Sequence, residues 1–239
     1  MNLTLNDQVA VVVGASSGMG QATVRALAGA GAYVMAAARR EGRLRKTCAE
    51  FPQLVRSCQT DVTDADQVQE LIATTEAAWN RIDLLVYAAG TNLPGRSLRN
   101  LTSSGWDELI ATNLTGAFYC TQAVLPSMRK QQGGLIIYLS TGAVQRPDTS
   151  GVAYQASKHG LTGLAHGTRQ EERENGIRTS IIFPGLCDTE ILLKRPVPTP
   201  PEILDKALLP SDVAAAVLFL AQLHPRAVVP ELQLLPSRL

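Results

Sequence analysis

The chain has 239 residues, with 22 lysines and arginines against 21 aspartates and glutamates and an aromatic content of 5%. A net charge near +1 and so few aromatic residues exclude the basic, stacking surface that holds nucleic acid. The length is enough for one α/β domain with a sizeable core, and neither the four scattered cysteines (Cys48, Cys58, Cys120, Cys187) nor the three histidines (His159, His166, His224) form a CxxC or metal-ligand pattern.

The first element is the run 9–13, apolar and β-branched, which reads as a fully buried strand. It passes directly into Gly14-Ala15-Ser16-Ser17-Gly18-Met19-Gly20 and then into a helical pattern over 20–30. Strand, glycine-rich turn and helix start together make an anion site, where bare backbone N–H groups and the helix dipole face a diphosphate. Further strands are expected at 33–37, 54–58, 82–87, 135–139, 178–183 and 228–234, alternating with helices at 40–50, 64–80, 105–131, 153–175 and 211–222. This alternation predicts a doubly wound α/β fold: a single domain over residues 1–239, its seven-stranded parallel sheet covered by helices, with ligands at the strands' carboxyl ends. Pro230, within the last strand, suits an edge position because it removes a ladder donor. The segment 186–210, with Pro196, Pro198, Pro200, Pro201 and Pro210, is read as a lid over a substrate. The apolar helix candidate 213–223 is too short to cross a bilayer and no signal peptide opens the chain, so a soluble, cytoplasmic protein is expected.

Two groups of residues point to chemistry. Tyr154 and Lys158 lie four apart in a helical pattern and share one face. A free tyrosine keeps its proton to about pH 10, and a cation at roughly 4 Å favours the phenolate by up to about 4 kcal/mol, or about three pKa units. The second group is Arg39 and Arg40, which follow Ala38 at the end of the second strand. An acidic residue there accepts hydrogen bonds from an adenosine ribose and repels a 2′-phosphate. Here two guanidiniums stand instead, which suits bidentate recognition of that phosphate and favours NADP(H) over NAD(H).

GASSGMG at 14–20, YAAG at 87–90, Asn113 in ATNLTG, YQASK at 154–158 and FPGLCDT at 183–189 occur in this order. Over essentially the whole chain the sequence resembles the short-chain dehydrogenase/reductase family in its compact single-domain form. The resemblance implies a Rossmann-type fold and NADPH-dependent reduction of a carbonyl to an alcohol. It implies that Tyr154 gives the carbonyl oxygen a proton, and that Lys158 holds the nicotinamide ribose and lowers the tyrosine pKa. Asn113 would anchor a water in a proton relay. For the hydroxyl that polarises the substrate, the family's spacing of thirteen before the tyrosine falls on Thr141, with Ser140 one residue further; either can donate the hydrogen bond. The implied cofactor residues are Gly14, Ser16, Ser17, Gly18, Met19 and Gly20 in the turn, then Ala38, Arg39 and Arg40. Asp61 and Val62 would lie at the adenine, Ala88, Ala89 and Gly90 near the adenosine ribose, and Tyr154, Lys158, Pro184, Gly185 and Thr189 further along.

Two departures from the family pattern stand out: Tyr87 and Ala88 replace two asparagines before Ala-Gly, and the usual terminal glycine pair is absent. A 3-oxoacyl carrier-protein reductase is the alternative activity, with Arg129, Lys130, Arg169 and Arg173 as a basic docking patch. A non-catalytic NADP(H) sensor is the alternative from another class, set against the retained Asn113, Tyr154 and Lys158. The resemblance also implies a homodimer or homotetramer, with Ala111, Ala117, Ala123, Ala156, Gly160, Gly163 and Ala165 allowing close helix packing. For a small-molecule carbonyl substrate, Leu192 and Leu193 suggest apolar contacts, while Lys194 and Arg195 either meet a carboxylate or face water.

Overall fold

In the computed structural model, which describes residues 4–239, the strands are β1 (Val9–Val13), β2 (Tyr33–Ala38), β3 (Val55–Gln59), β4 (Leu84–Tyr87), β5 (Gly134–Leu139), β6 (Ile177–Pro184) and β7 (Glu231–Leu234). All seven pair in parallel in the order β3-β2-β1-β4-β5-β6-β7, a Rossmann-like sheet in which the order of strand addition reverses between β1 and β4. The helices are α1 (Gly18–Gly29), α2 (Glu41–Ala49), α3 (Ala65–Trp79), α4 (Ser103–Ile110), α5 (Gly116–Gln131), α6 (Val152–Glu172), the short α7 (Pro201–Leu204) and α8 (Pro210–Ala221).

Alternation along β1 explains the layering. Successive side chains of a strand point to opposite faces. Ala10 and Val12 pack with Val24 and Leu27 of α1 and with Val213 and Val217 of α8. Val11 and Val13 pack with Val68 and Leu71 of α3, Val124 of α5 and Leu161 of α6. Both faces of the strand are therefore dry, which is why its sequence is a continuous apolar run.

Three expectations change in detail. The single helix expected over 105–131 is α4 and α5 joined by a π-helical turn, Ala111–Thr115, which contains Asn113. A π turn holds one more residue than an α turn, and such turns recur at functional sites. The last strand starts at Glu231, so Pro230 lies just before it; β7 is an edge strand, and the Pro230 carbonyl still accepts from Ile181 N at 2.9 Å. The segment 186–210 is not structureless: it holds a 3₁₀ turn, Glu190–Lys194, then α7, and it closes on itself where Leu208 N donates to Leu186 O and Asp188 N to Leu208 O. Among the described residues no helix is long and apolar enough to cross a membrane.

Candidate active site

The carboxyl ends of β1 to β5 open onto a cleft of about 480 Å³. Its floor is the glycine-rich turn. Gly14 has φ +84°, and a Cβ there would lie 2.6 Å from Ala89 N, so only glycine lets β1 turn so close to the end of β4. A Cβ on Gly20 would stand 2.3 Å from Gly14 O, so the start of α1 rests directly against the turn. Ser17 occupies the N-cap of α1 but its side chain caps none of the first-turn N–H groups. Those amides and the positive end of the helix dipole are left for an anion. Such a cradle fits the diphosphate of a dinucleotide.

At the end of β2, the guanidinium of Arg40 folds back over this turn. Its Nη2 donates to Ser17 Oγ at 2.7 Å and to Ser16 Oγ at 3.0 Å, and Nη1 reaches Glu190 Oε2 at 3.0 Å. Arg43, one helical turn further on, donates to the other oxygen of Glu190 at 2.5 Å. A carboxylate from the 186–210 segment is thus held between two guanidiniums beside the glycine-rich turn. Hydrogen bonds from Arg40 and then Arg43 keep the Glu190 carboxyl below the usual carboxylate range. Arg39 turns instead toward Asp61, 4.0 Å away. Asp61 also accepts from the backbone and hydroxyl of Thr63, which fixes the loop after β3.

At the opposite end of the cleft α6 presents Tyr154 and Lys158. Burial pushes the Tyr154 phenol up to about 12, while the neighbouring Thr141 side chain and then the Arg96 and Arg195 guanidiniums act to lower it. Lys158 is almost wholly buried, and desolvation brings its ammonium down to about 8. The two lie side by side: the Lys158 Nζ stands over the Tyr154 ring, 6.0 Å from its centre, and donates to Leu139 O at 2.9 Å.

Ser140 and Thr141 diverge as extended residues should. Ser140 Oγ donates to the Lys158 carbonyl at 3.2 Å, whereas Thr141 Oγ1 accepts from Ala143 N at 3.3 Å and acts on the Tyr154 phenol. Asn113 is fully buried behind the cleft. Its Oδ1 accepts from Thr91 N at 2.8 Å, and its Nδ2 donates to Thr91 O at 3.1 Å and to Ser157 Oγ at 3.0 Å. It therefore clamps the chain just after β4 to α6. Both Asn113 and Lys158 press on Gly90, where a Cβ would come within 3.3 Å of Lys158 Nζ.

The structure brings to the cleft wall all the expected turn residues, Ala38, Arg39, Arg40, Asp61, Val62, Ala88, Ala89, Gly90, Ser140, Tyr154, Lys158 and Thr189. Asn113, Thr141, Pro184 and Gly185 are not on that wall. Pro184 ends β6, and Gly185 N donates to Leu234 O at 2.8 Å, packed against β7's end. Tyr87, in place of a family asparagine, ties β4 to the π turn by donating to Thr112 O at 2.5 Å. Sequence reasoning missed Thr91, Arg43, Glu190 and Arg96. Arg43 was findable as the residue one turn beyond Arg40 on the same helix face, and Thr91 as the residue after Gly90. Nothing in the sequence pointed to Glu190 or Arg96.

Two other expectations shift. Arg129 is paired with Glu172 and Arg173 with Glu174, so half of the basic docking patch is spent on ion pairs within the chain. Ala117, Ala123 and Ala165 are buried in the protomer's own core and Gly160 receives Leu114, which leaves Ala156 and Gly163 as the exposed small residues of that set.

A parallel sheet whose carboxyl edge carries a glycine-rich anion cradle, with a tyrosine and a lysine across the cleft, is the arrangement of a nicotinamide-dependent oxidoreductase. The family model for short chain dehydrogenase matches residues 8–196. An uncharacterized oxidoreductase of Staphylococcus saprophyticus is 34% identical over 98% of this chain and 97% of its own length. A metagenomic short-chain oxidoreductase solved in complex with NADP superposes with a TM-score of 0.84 at 32% identity, covering 98% of this chain and 99% of that one. The closed form of a serine dehydrogenase complexed with NADP+ superposes with a TM-score of 0.87 at 29% identity, covering 95% and 94%. The chain belongs to the short-chain dehydrogenase/reductase family and is an NAD(P)-dependent oxidoreductase of that family.

Proposed function

We propose that this protein reduces a small carbonyl compound to an alcohol with NADPH, reversibly, using Tyr154 as general acid and base. The observation that carries the reading is the convergence on one cleft of the uncapped α1 N-terminus, Arg40, Tyr154 and Lys158. Bound NADPH supplies the hydride that the carbonyl carbon receives. Tyr154 gives its phenolic proton to the carbonyl oxygen, and with its pKa near 12 the phenol is fully protonated at neutral pH and ready to do so. The Thr141 hydroxyl, which acts on the Tyr154 phenol, is the group we assign to hold that same oxygen. Ser140 supports α6 from below through the Lys158 carbonyl. Lys158, largely protonated at pH 7 with a pKa near 8, is assigned to the nicotinamide ribose hydroxyls and to proton resupply. Asn113 fixes Thr91 and α6 relative to each other, which keeps Gly90 and Lys158 at their spacing.

Arg40, with Arg43 beside it, supports NADP(H) over NAD(H), and two solved relatives carrying NADP or NADP+ are in keeping with that. We read the 186–210 segment as a lid, since Thr189, Glu190, Ile191, Leu193 and Lys194 form one wall of the cleft. A cytoplasmic homodimer or homotetramer completes the proposal. Its test is a pair of fluorescence titrations with NADPH and NADH, followed by a carbonyl panel. Tighter NADPH binding and NADPH-dependent turnover are expected. Failure to bind either nucleotide would remove the enzymatic reading, whereas equal binding would remove only the phosphate preference.

A further inference from the structure

Arginine is seldom buried without an anionic partner, because desolvating its charge is costly. Arg96, in the loop between β4 and α4, is 8% exposed. Its Nε is buried with no hydrogen-bond partner, and the bond recorded for its guanidinium is from Nη2 to the carbonyl of Lys194, at 2.8 Å. Two further cations stand on the same side of the cleft. The Lys194 Nζ reaches across to Thr91 Oγ1 at 2.6 Å, and Arg195 donates to Thr199 Oγ1 at 2.9 Å. Among the described residues none of these three has a carboxylate within 4.0 Å. Asp148 is the nearest acidic influence on Arg96, and its Oδ1 is already taken by Ser150 N at 2.9 Å. Desolvation and the repulsion of Arg195 both hold the Arg96 guanidinium below its ordinary pKa. Lys194, whose carbonyl accepts from Arg96, stands on the wall of the cleft that also holds Tyr154, while Arg96 and Arg195 lie off that wall, so this cationic cluster borders the cleft through Lys194.

We propose that the substrate is an oxo acid whose carboxylate is bound by Arg96, with Lys194 and Arg195 closing over it, so that its keto group lies at Tyr154. This rests on the reductase reading above. A carboxylate would give the Arg96 Nε an acceptor, offset one of the three neighbouring positive charges and fix the carbonyl's direction. A neutral ketone would leave all of that uncompensated.

The test compares oxo acids with their methyl esters under NADPH: pyruvate, 3-oxobutanoate and 4-oxopentanoate, each against its ester. The expected result is that one acid exceeds its ester in kcat/KM by on the order of 10- to 100-fold, the range of a charge-assisted hydrogen bond. In Arg96→Gln that acid-to-ester ratio collapses toward one, and Arg96→Lys restores part of it. Lys194→Met, on the lid and independent of the buried arginine, lowers the ratio by about 3- to 10-fold, in keeping with a more exposed charge. Because each ratio is taken on one enzyme preparation, a general loss of stability does not mimic the effect. Esters reduced as well as or better than acids would overturn the proposal and leave the reductase reading standing, as would an Arg96→Gln variant that keeps the parent's ratio. If neither acids nor esters are reduced by protein that binds NADPH, the proposal falls together with the reductase reading.

Discussion

At the β1–β2 end of the cleft the groups that face a ligand are backbone amides, glycines and the guanidinium of Arg40, drawn from the segments at the ends of β1, β2 and β4: 14–20, 38–40 and 88–90. At the α6 end they are charged and hydroxyl side chains, Tyr154, Lys158 and Lys194 on the wall with Arg96 and Thr141 off it; of these Arg96 and Lys158 are buried and Lys194 is exposed. The first end is built largely by the backbone path at the ends of three strands, with the Arg40 guanidinium added to it. The second holds two desolvated cations, Arg96 and Lys158, without an ion-pair partner, and its preference is correspondingly narrow. In this chain recognition of the cofactor is cheap in folding energy, and recognition of the reacting group is not.

The widest separation of the two ends comes from Tyr154→Phe. Losing the proposed acid should lower kcat by about 10³-fold, within the range for general acid catalysis, while NADPH affinity changes less than about threefold. Parallel stopped-assay kinetics and fluorescence titration check this; equal losses in both would place Tyr154 at the nucleotide and not at the carbonyl. The parent should also show opposite pH trends in the two directions. Reduction uses the protonated phenol, which is present at all pH values below about 12, whereas alcohol oxidation needs the deprotonated form and should speed up as pH rises from 7 to 10.

Arg40→Ala acts at the other end. It removes a guanidinium that contacts both Ser16 and Ser17, and should weaken NADPH binding by about 10- to 50-fold with little change for NADH. A similar loss for both nucleotides would show that Arg40 holds the turn and does not read a phosphate.

Lys158→Met tests the claim that the α6 end is bought at the expense of stability. A folded pKa near 8 against 10.5 for the ordinary group means that the unfolded chain binds more protons between those values. Stability of the parent therefore rises with pH from about 8 to 10.5, and below that window a penalty of roughly 3 kcal/mol is carried in full. The variant loses the bond to Leu139 O, which offsets part of the gain. The expected outcome at pH 7, without added nucleotide, is a variant about 1 kcal/mol more stable by urea unfolding, with the gap closing toward pH 10. A less stable variant at pH 7 would show that burial of the ammonium is compensated.

The unequal composition of the two ends also decides what could be read from the sequence. The strand run 9–13, the turn after it and the alternation of strands and helices are local patterns, so the sheet and the nucleotide end were legible almost residue by residue. Arg40 was legible because its position in chain order is its position in space. The π turn at Ala111–Thr115 was not, since helical periodicity looks the same with one extra residue, and it is this turn that seats Asn113 against Thr91. Spacing put Tyr154 and Lys158 on one face of α6 but said nothing of the Leu139 carbonyl that accepts from the ammonium. Arg96 and Glu190 depend on contacts across 98 and 150 positions of chain, beyond any local signal.

Glu190 gives the smallest and most informative effect, because it alone links the two ends. Its carboxylate lies between Arg40 and Arg43, while the 3₁₀ turn it begins ends at Lys194, whose side chain reaches Thr91 and whose carbonyl takes Arg96. A 2′-phosphate arriving at Arg40 competes with Glu190 for the same donors, so the segment must give up one contact when the nucleotide binds. Both arginines and the glutamate are about half exposed, which limits the effect to that of a surface ion pair. Because the folded Glu190 pKa is depressed, the pair is intact above the usual carboxylate range and is lost only as pH falls below it, so the competition operates at neutral pH. Glu190→Gln should tighten NADPH binding by about 2- to 5-fold, leave NADH nearly unchanged, and lose its effect as salt is raised toward 1 M. Weaker NADPH binding in that variant would mean that Glu190 orients the two guanidiniums for the phosphate, and that the nucleotide and lid ends cooperate where competition is expected.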